Sequence, residues 1–272
     1  MSAASAEGVR PLTGCTVVVT RPADQSATLV VAIRRLGAHT IVAPAIEIAP
    51  ARSASLTRAL RELEAGAFSW ITLTSRATVE MLASRLPGPD ALGNTKAAAI
   101  GDGTAAAFRA WTRRDPDLVP ASFTTTDLAR AFPRGAGRVL CARADIAPAG
   151  LEVALAEKGW SPTRVDAYRT RFPRSLPSEA RTALRAGRVD AVTFTSASTV
   201  RGYVGALGTV AGTPPETPPK TPKVVCIGPV TATEARNHGL TVHAVATPHS
   251  VDGVVDALVR VLSSTGGPAS LR

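Results

Sequence analysis

Short apolar runs alternate with longer amphipathic stretches along most of the chain. The short runs, for example residues 16–19 and 138–142, are rich in Val, Leu and Ala, as in strands that are buried on both faces. Stretches such as 23–36, 56–63 and 251–262 instead repeat their apolar positions at helical spacing. This alternation predicts an α/β fold in which helices cover both faces of parallel sheets and right-handed crossovers join the strands.

The order of these segments is duplicated. The sequence T-L-T-S-R-A-T-V at residues 72–79 is matched by T-F-T-S-A-S-T-V at 193–200, and the turn I-G-x-x-T-A at 100–105 recurs at 227–232. The Pro- and Thr-rich segment 212–222 is an insertion in the second copy, and we expect it to be a loop. Repeats of this kind predict two similar domains, each with a parallel sheet of about five strands.

Length and composition agree with two domains and leave the type of partner open. The chain has 272 residues, of which 45% are hydrophobic, enough for two cores. The formal net charge is +10, which favours an anionic partner such as phosphate, nucleic acid or a polycarboxylate. Cys15, Cys141 and Cys226 lie far apart in or beside apolar runs, which indicates reduced core thiols.

Several classes of protein lack the sequence features that they need. The first eight residues have neither a basic start nor an apolar run, and no segment reaches the roughly 18 apolar residues of a membrane span, so we expect a cytoplasmic protein without a membrane anchor. Aromatic residues make up 4% of the chain, too few for base stacking, and we expect no nucleic-acid partner. The spacing of the histidines predicts no metal site, and the chain has no G-x-S-x-G elbow or Walker loop.

Ligands of open α/β sheets bind beyond the carboxyl ends of the strands, where turns expose backbone N–H groups and helix N-termini. The residues that we place at such turns, as a candidate binding set, are Arg21, Ser75, Gly101, Thr104, Ser196, Gly228 and Thr231. The four hydroxyl residues of this set are also placed to cap the helices that follow, and capping and binding are compatible. Residues 101–106 match a dinucleotide-binding fingerprint, but their duplicate lacks its second glycine.

Tyr168 ends the apolar segment 163–168. It is either a half-buried packing residue or a phenol beside a cleft, where it gives or orients a proton. Tyr203 lies within a predicted helix, and we expect it in the core.

The ordered set of motifs resembles the uroporphyrinogen-III synthase family over about residues 12–263. It consists of V-V-V-T-R-P at 17–22, the two duplicated motifs above and V-D-A-Y-R-T at 165–170. The resemblance implies two α/β domains joined by a two-stranded linker, with the first strand–helix–strand packed against the C-terminal part. The implied segments are domain one, 1–47 with 167–272; domain two, 50–160; and linkers, 48–49 and 161–166.

The resemblance also implies an activity. Enzymes of this family need no cofactor and no metal, and they cyclise hydroxymethylbilane, a linear tetrapyrrole with eight carboxylates, to uroporphyrinogen III. Ring D is inverted through a spiro-pyrrolenine intermediate and water is released. By resemblance Tyr168 donates a proton or orients a water, and Thr231 is a second residue of the site. The resemblance also implies that the other turn residues, together with Arg143, bind substrate.

The resemblance further implies a monomer that receives its substrate from hydroxymethylbilane synthase. A non-catalytic sensor or binding protein of the same shape, for an anionic small molecule or a tetrapyrrole, is the alternative.

Two turns depart from the family pattern. Where the family often has R-G-x-x-x-R, this chain has Arg143, Ala144 and Pro148, so a contact between the second arginine and a substrate carboxylate is lost. Val230 stands where threonine is frequent, which removes one hydroxyl from the C-terminal turn.

Overall fold

The structure is a computed structural model in which residues 10–208 and 221–263 are described. Most of the expected insertion at 212–222 therefore lies outside the described residues. The elements of the first half are β1 (Thr16–Val19), α1 (Ala27–Arg35), β2 (His39–Val42), β3 (Glu47–Pro50), α2 (Ala54–Glu64), β4 (Trp70–Leu73), α3 (Arg76–Arg85), β5 (Lys96–Ala99), α4 (Asp102–Thr112) and α5 (Thr125–Ala131). Those of the second half are β6 (Arg138–Ala144), α6 (Gly150–Glu157), β7 (Ser161–Arg171), α7 (Ser178–Arg185), β8 (Ala191–Phe194), α8 (Ala197–Gly208), β9 (Lys223–Cys226), α9 (Pro229–Asn237), β10 (Val242–Val245) and α10 (Val251–Ser263).

The chain divides into two compact units. The first comprises the described residues of Met1–Glu47 and Phe172–Arg272, and the second comprises Ile48–Arg171. The first strand–helix–strand therefore packs with the C-terminal part, and this aspect of the predicted fold is confirmed. Strand β7 spans Ser161–Arg171 and lies between β3 and β6 in the sheet of the second unit, and its pairing with β6 extends to Tyr168. Residues 161–166, expected as a linker, and 167–171, expected in domain one, are thus strand residues of the second unit, because backbone pairing holds them in its sheet.

Both units contain a five-stranded sheet. The order in the first unit is β2-β1-β8-β9-β10, and every strand pair in it is parallel. The order in the second unit is β3-β7-β6-β4-β5, and a single parallel bridge joins Ala98 of β5 to Leu118. Leu118 thus has the place that β10 has in the first sheet. In each sheet the order in which the chain adds strands changes direction at one position. This position lies between β1 and β8 in the first unit and between β6 and β4 in the second, and we call these two positions the switch points.

The strands are buried on both faces, which explains why their apolar runs do not alternate with polar residues. In β1, Val17 and Val19 pack into one apolar cluster and Val18 into the cluster on the opposite face. Tyr203 lies in the second of these clusters, as expected. Burial raises the pKa of Cys141 and of Cys226 to about 12, so both thiols keep their protons at neutral pH and behave as small core residues.

Two glycines at matched positions of the repeat end matched helices. Gly37 follows α1 and Gly159 follows α6, with φ angles of 96° and 94°. A left-handed backbone of this kind favours glycine because a Cβ atom would clash. None of the described helices is long and apolar enough to cross a membrane.

Candidate functional site

Four of the eight candidate residues lie at the switch points, and the other four lie at the turns after β5 and β9. In the first unit Arg21 follows β1 and Ser196 follows β8, the two strands that flank the switch point. In the second unit Arg143 lies near the end of β6 and Ser75 follows β4. Each unit thus has one arginine residue and one serine residue at the position where ligands of this topology bind.

Tyr168 lies beside the switch point of the second unit. It belongs to β7 and pairs with Ala144 of β6, where the register of the two strands shifts by a bulge. Its hydroxyl donates a hydrogen bond of 3.0 Å to Oγ of Ser75. Ser75 Oγ also accepts a hydrogen bond of 3.2 Å from the backbone N–H of Thr78 and thereby caps α3. The phenol is therefore fixed at the strand end by a serine that is itself fixed by a helix.

The surroundings of Tyr168 keep its phenol protonated. Burial raises its pKa above the usual value, the hydrogen bond to Ser75 and the charge of Arg143 oppose this effect, and the net direction is upward. The half-buried side chain also packs against the core of the second unit. The packing interpretation of Tyr168 is thus confirmed, and the interpretation of its phenol as a group that gives or orients a proton stays a prediction.

The prediction that serine and threonine cap the helices at these turns is correct for the serines. Ser196 Oγ accepts a hydrogen bond of 3.2 Å from the N–H of Thr199 in α8. The prediction is wrong for Thr104 and Thr231, which lie inside the first turns of α4 and α9 and are 6% and 4% exposed. Gly101 and Gly228 occupy the N-cap positions, and neither helix has a side-chain cap.

The reason is that the helix begins directly after the glycine in each case. The carbonyl of Gly101 accepts hydrogen bonds from the N–H groups of Thr104 and Ala105, and that of Gly228 accepts one from Ala232. Since no side chain caps these turns, N–H groups of the first helical turn are left for an anionic ligand.

The side chain of Arg143 is buried and is held by groups of the turn that follows β6. Its side chain is 4% exposed, and Nη1 donates to the carbonyl oxygen of Pro148 at 2.7 Å and to the two carboxylate oxygens of Glu152 at 3.0 and 3.2 Å. Glu152 belongs to α6 and also lies 3.6 Å from Nη1 of Arg164. These contacts hold the turn between β6 and α6, so we assign Arg143 to the support of that turn.

Sequence reasoning missed three residues at these turns. One is Glu152, the partner of Arg143. The other two are rings that cover the N-cap glycines: Phe123 lies over Gly101 and His249 lies over Gly228. A signal for the rings was present, because Phe123 and His249 follow the motif I-G-x-x-T-A at nearly the same distance in the two halves of the repeat.

Replacing Gly101 with alanine is expected to destabilise the second unit by about 1–3 kcal/mol. A Cβ atom at Gly101 would come within 2.7 Å of Cδ1 and Cγ of Phe123 and 3.0 Å of its Cβ, so the whole ring must move. Urea unfolding of the variant measures the loss.

Gly103→Ala is the matched control for this variant, because a Cβ atom there meets no atom within 4 Å. Alanine in the first turn of α4 should stabilise the unit by up to about 1 kcal/mol. Equal effects of the two substitutions would show that Phe123 does not pack on the turn.

No cluster of three or more His, Cys, Asp or Glu side chains within residues 10–208 and 221–263 is placed to hold a metal ion. The chemical groups at the switch points and at the turns after β5 and β9 are hydroxyls, backbone N–H groups and one protonated phenol.

These features define a class of protein: a duplicated α/β protein with two five-stranded sheets, in which the first strand–helix–strand packs with the C-terminal part. A serine follows one strand at each switch point. The family model described as uroporphyrinogen-III synthase HemD matches residues 27–256. The chain belongs to the uroporphyrinogen-III synthase family, and the resemblance seen in its motifs is confirmed.

Individual relatives agree with this assignment. The chain is 30% identical to the porphyrin biosynthesis protein HemD of Ruminiclostridium josui over 260 residues, which cover 93% of this chain and 49% of the relative, so it spans about half the length of that protein. It is 28% identical to the uroporphyrinogen-III synthase of Synechococcus elongatus over 256 residues, covering 92% of this chain and 96% of that protein. The crystal structure of a mutant uroporphyrinogen III synthase from Thermus thermophilus has the same fold, with a TM-score of 0.65 and 20% identity over 92% of this chain and 99% of that one.

Proposed function

We propose that the chain is a uroporphyrinogen-III synthase that cyclises hydroxymethylbilane to uroporphyrinogen III. Its membership of the family and the match over nearly the whole S. elongatus protein, which is named for this activity, support the proposal. The observation on the site that supports it most is the hydrogen bond between the protonated phenol of Tyr168 and Ser75 at a switch point.

The first step requires a proton on the leaving hydroxyl group of the bilane. Tyr168 supplies it directly or orients a water that does, the C–O bond breaks, water leaves, and the pyrrole nitrogen lone pair stabilises the resulting azafulvene. Ring D then attacks through its substituted carbon and forms the spiro-pyrrolenine. One of its C–C bonds breaks, the macrocycle closes with ring D inverted, and loss of a proton restores the pyrrole.

The role of the protein is to favour the more crowded closure over the easier one, which happens without an enzyme and leaves ring D uninverted. Such selection rests on holding the substrate in one reactive geometry rather than on several acid–base groups. The candidate site offers one phenol, that of Tyr168, and several hydrogen-bond donors, which suits that task. The net charge of +10 suits a substrate with eight carboxylates.

In the substrate-binding set we place Arg21, Ser196, Gly228 and Thr231 from the first unit and Ser75, Gly101 and Thr104 from the second. The helix N-termini at Gly101 and Gly228 lack side-chain caps, so their N–H groups suit carboxylates.

We further propose that the two units are the domains of the enzyme, and that it acts as a cytoplasmic monomer. Because the bilane closes spontaneously to the uninverted isomer, direct hand-over from hydroxymethylbilane synthase would limit this loss.

The test is to incubate the protein with freshly made hydroxymethylbilane, oxidise the products to porphyrins and separate the isomers by chromatography. The type III isomer should replace the type I isomer that forms in the control without protein. The alternative, a sensor or binding protein, predicts that the tetrapyrrole binds while the isomer ratio stays that of the control. That result would remove the catalytic proposal.

A further inference from the structure

His249 lies against the turn that begins α9. It follows β10 and precedes α10, and its Cγ, Nδ1 and Cβ atoms lie 3.6, 3.8 and 3.9 Å from the position that a Cβ atom on Gly228 would take. The ring thus covers the N-cap glycine of α9. The side chain is exposed, so its free edge reaches solvent beside a turn that we have placed in the substrate-binding set.

The hydrogen bond of the ring fixes which nitrogen is left for a ligand. Nδ1 lies 2.8 Å from the carbonyl oxygen of Ala246, and because a carbonyl only accepts, Nδ1 must carry the hydrogen. The remaining nitrogen, Nε2, is therefore an acceptor when the ring is neutral and a donor when it is protonated. A carboxylate accepts hydrogen bonds only, so it would bind the protonated ring.

The second unit shows what packing alone requires at this position. There Phe123 covers the equivalent glycine, Gly101, and its ring lies 2.7 Å from the position that a Cβ atom on this glycine would take, closer than His249 lies to the same position on Gly228. A phenyl ring therefore suffices to cover such a turn. The imidazole covers less and adds a polar edge, which points to a use beyond packing.

The turn that His249 covers carries no acidic side chain. The first turn of α9 contains no acidic residue, whereas that of α4 contains Asp102. Pro229 at the start of α9 has no N–H, so this turn has one backbone donor fewer than the turn of α4, and the ring would add one. Of the other segments beside the ring, residues 246–248 and Ser250 carry no charge, and the first turn of α10 carries Asp252.

We propose that His249 is a substrate-binding residue that donates a hydrogen bond from protonated Nε2 to a carboxylate of the tetrapyrrole at the turn after β9. Only the protonated ring donates from Nε2, so affinity for the carboxylate decreases as the protonated fraction of the ring falls with rising pH. This inference rests on the proposed function, since it takes the substrate class from there.

The experiment measures KM and kcat for hydroxymethylbilane, and the dissociation constant for uroporphyrin III, between about pH 6 and about pH 8.5. His249→Phe copies the residue of the second unit and should raise KM and the dissociation constant about tenfold at the acid end, as expected for one charge-assisted hydrogen bond. It should also abolish their rise with pH, while kcat changes by less than about twofold. His249→Gln keeps a donor without titrating and should give an intermediate affinity that does not change with pH.

His39→Gln is the matched control, because His39 is exposed at the amino end of β2 in the same sheet, and it should behave as the wild type at every pH. If His249→Phe keeps the wild-type affinity and its pH dependence, the inference is wrong. A wild type that binds uroporphyrin III but forms no type III isomer would instead remove the proposed function, and the binding data would still decide the role of His249.

Discussion

Glu152→Ala is expected to lower the free energy of unfolding of the second unit by about 3–5 kcal/mol, because it leaves the guanidinium of Arg143 buried without its carboxylate. The side chains of Arg143 and Glu152 are 4% and 10% exposed, and two hydrogen bonds join them. Water therefore has little access to replace the lost charge. Urea unfolding, followed by a probe in the second unit such as the fluorescence of Trp160, measures the effect.

Two further variants test the cause. Glu157→Ala makes the same chemical change at an exposed position of α6 and should alter stability by no more than about 0.5 kcal/mol. The double variant Arg143→Met with Glu152→Leu removes both charges and should recover most of the loss, as apolar replacements of buried ion pairs do. If Glu152→Ala is as stable as Glu157→Ala, the pair is not a buried ion pair in solution.

The ion pair between Arg143 and Glu152 affects the candidate site because it holds the turn after β6, which is hydrogen-bonded to the end of β7. Arg143 holds the carbonyl of Pro148, and the N–H of Asp145 donates to the carbonyl of Tyr168 at 3.2 Å. Asp145 in turn accepts a hydrogen bond of 2.9 Å from the N–H of Thr170. The turn after β6 is thus tied to the end of β7 that carries Tyr168, so loosening the turn is also expected to disturb the phenol.

Much of the fold follows from local pattern. Apolar runs that are buried on both faces, such as 16–19, give strands at the expected places, and the matched glycines Gly37 and Gly159 end matched helices. The packing of the first strand–helix–strand with the C-terminal part did not follow from the pattern, because a repeat of this kind is equally compatible with two domains that are consecutive in sequence. Only the resemblance to a family implied it.

The details that the sequence did not predict depend on contacts between distant segments. The extent of β7 is set by its pairing with β6, so no local signal marks where the expected linker 161–166 becomes sheet. The inward direction of Arg143 depends on Glu152, one helix away, which by itself looks like an ordinary helix residue. Phe123 and His249 cover Gly101 and Gly228 because a later loop packs on an earlier turn in each unit. The nearly equal spacing in the sequence suggests such a contact but does not establish it.

The position of the threonines shows the limit of motif interpretation at a finer scale. In I-G-x-x-T-A either the glycine or the threonine could begin the helix, and both choices place a hydroxyl near its N-terminus. The extended backbone of Gly101 and of Gly228 makes the glycine the N-cap, so the threonine lies inside the first turn.

Tyr168→Phe is expected to lower kcat for formation of the type III isomer by about 10²-fold, the usual contribution of a proton donor. The phenyl ring keeps the half-buried packing, and Ser75 keeps its capping hydrogen bond to Thr78, so binding should change far less than turnover. Single-turnover formation of the isomer gives the rate, and titration with uroporphyrin III gives the affinity. Equal effects on both would remove Tyr168 from the chemistry.

The controls separate the phenol from its surroundings. Tyr203→Phe removes a hydroxyl from the other tyrosine, buried in the first unit, and should leave kcat unchanged. Ser75→Ala removes the partner of the phenol together with a helix cap worth about 1 kcal/mol. Ser53→Ala removes the cap of α2 in the same unit and an exposed hydrogen bond to Ser55, but no contact with the phenol. If Ser75 positions the phenol, Ser75→Ala should lower kcat beyond Ser53→Ala at equal loss of stability, since only Ser75 holds the proton-bearing oxygen in place.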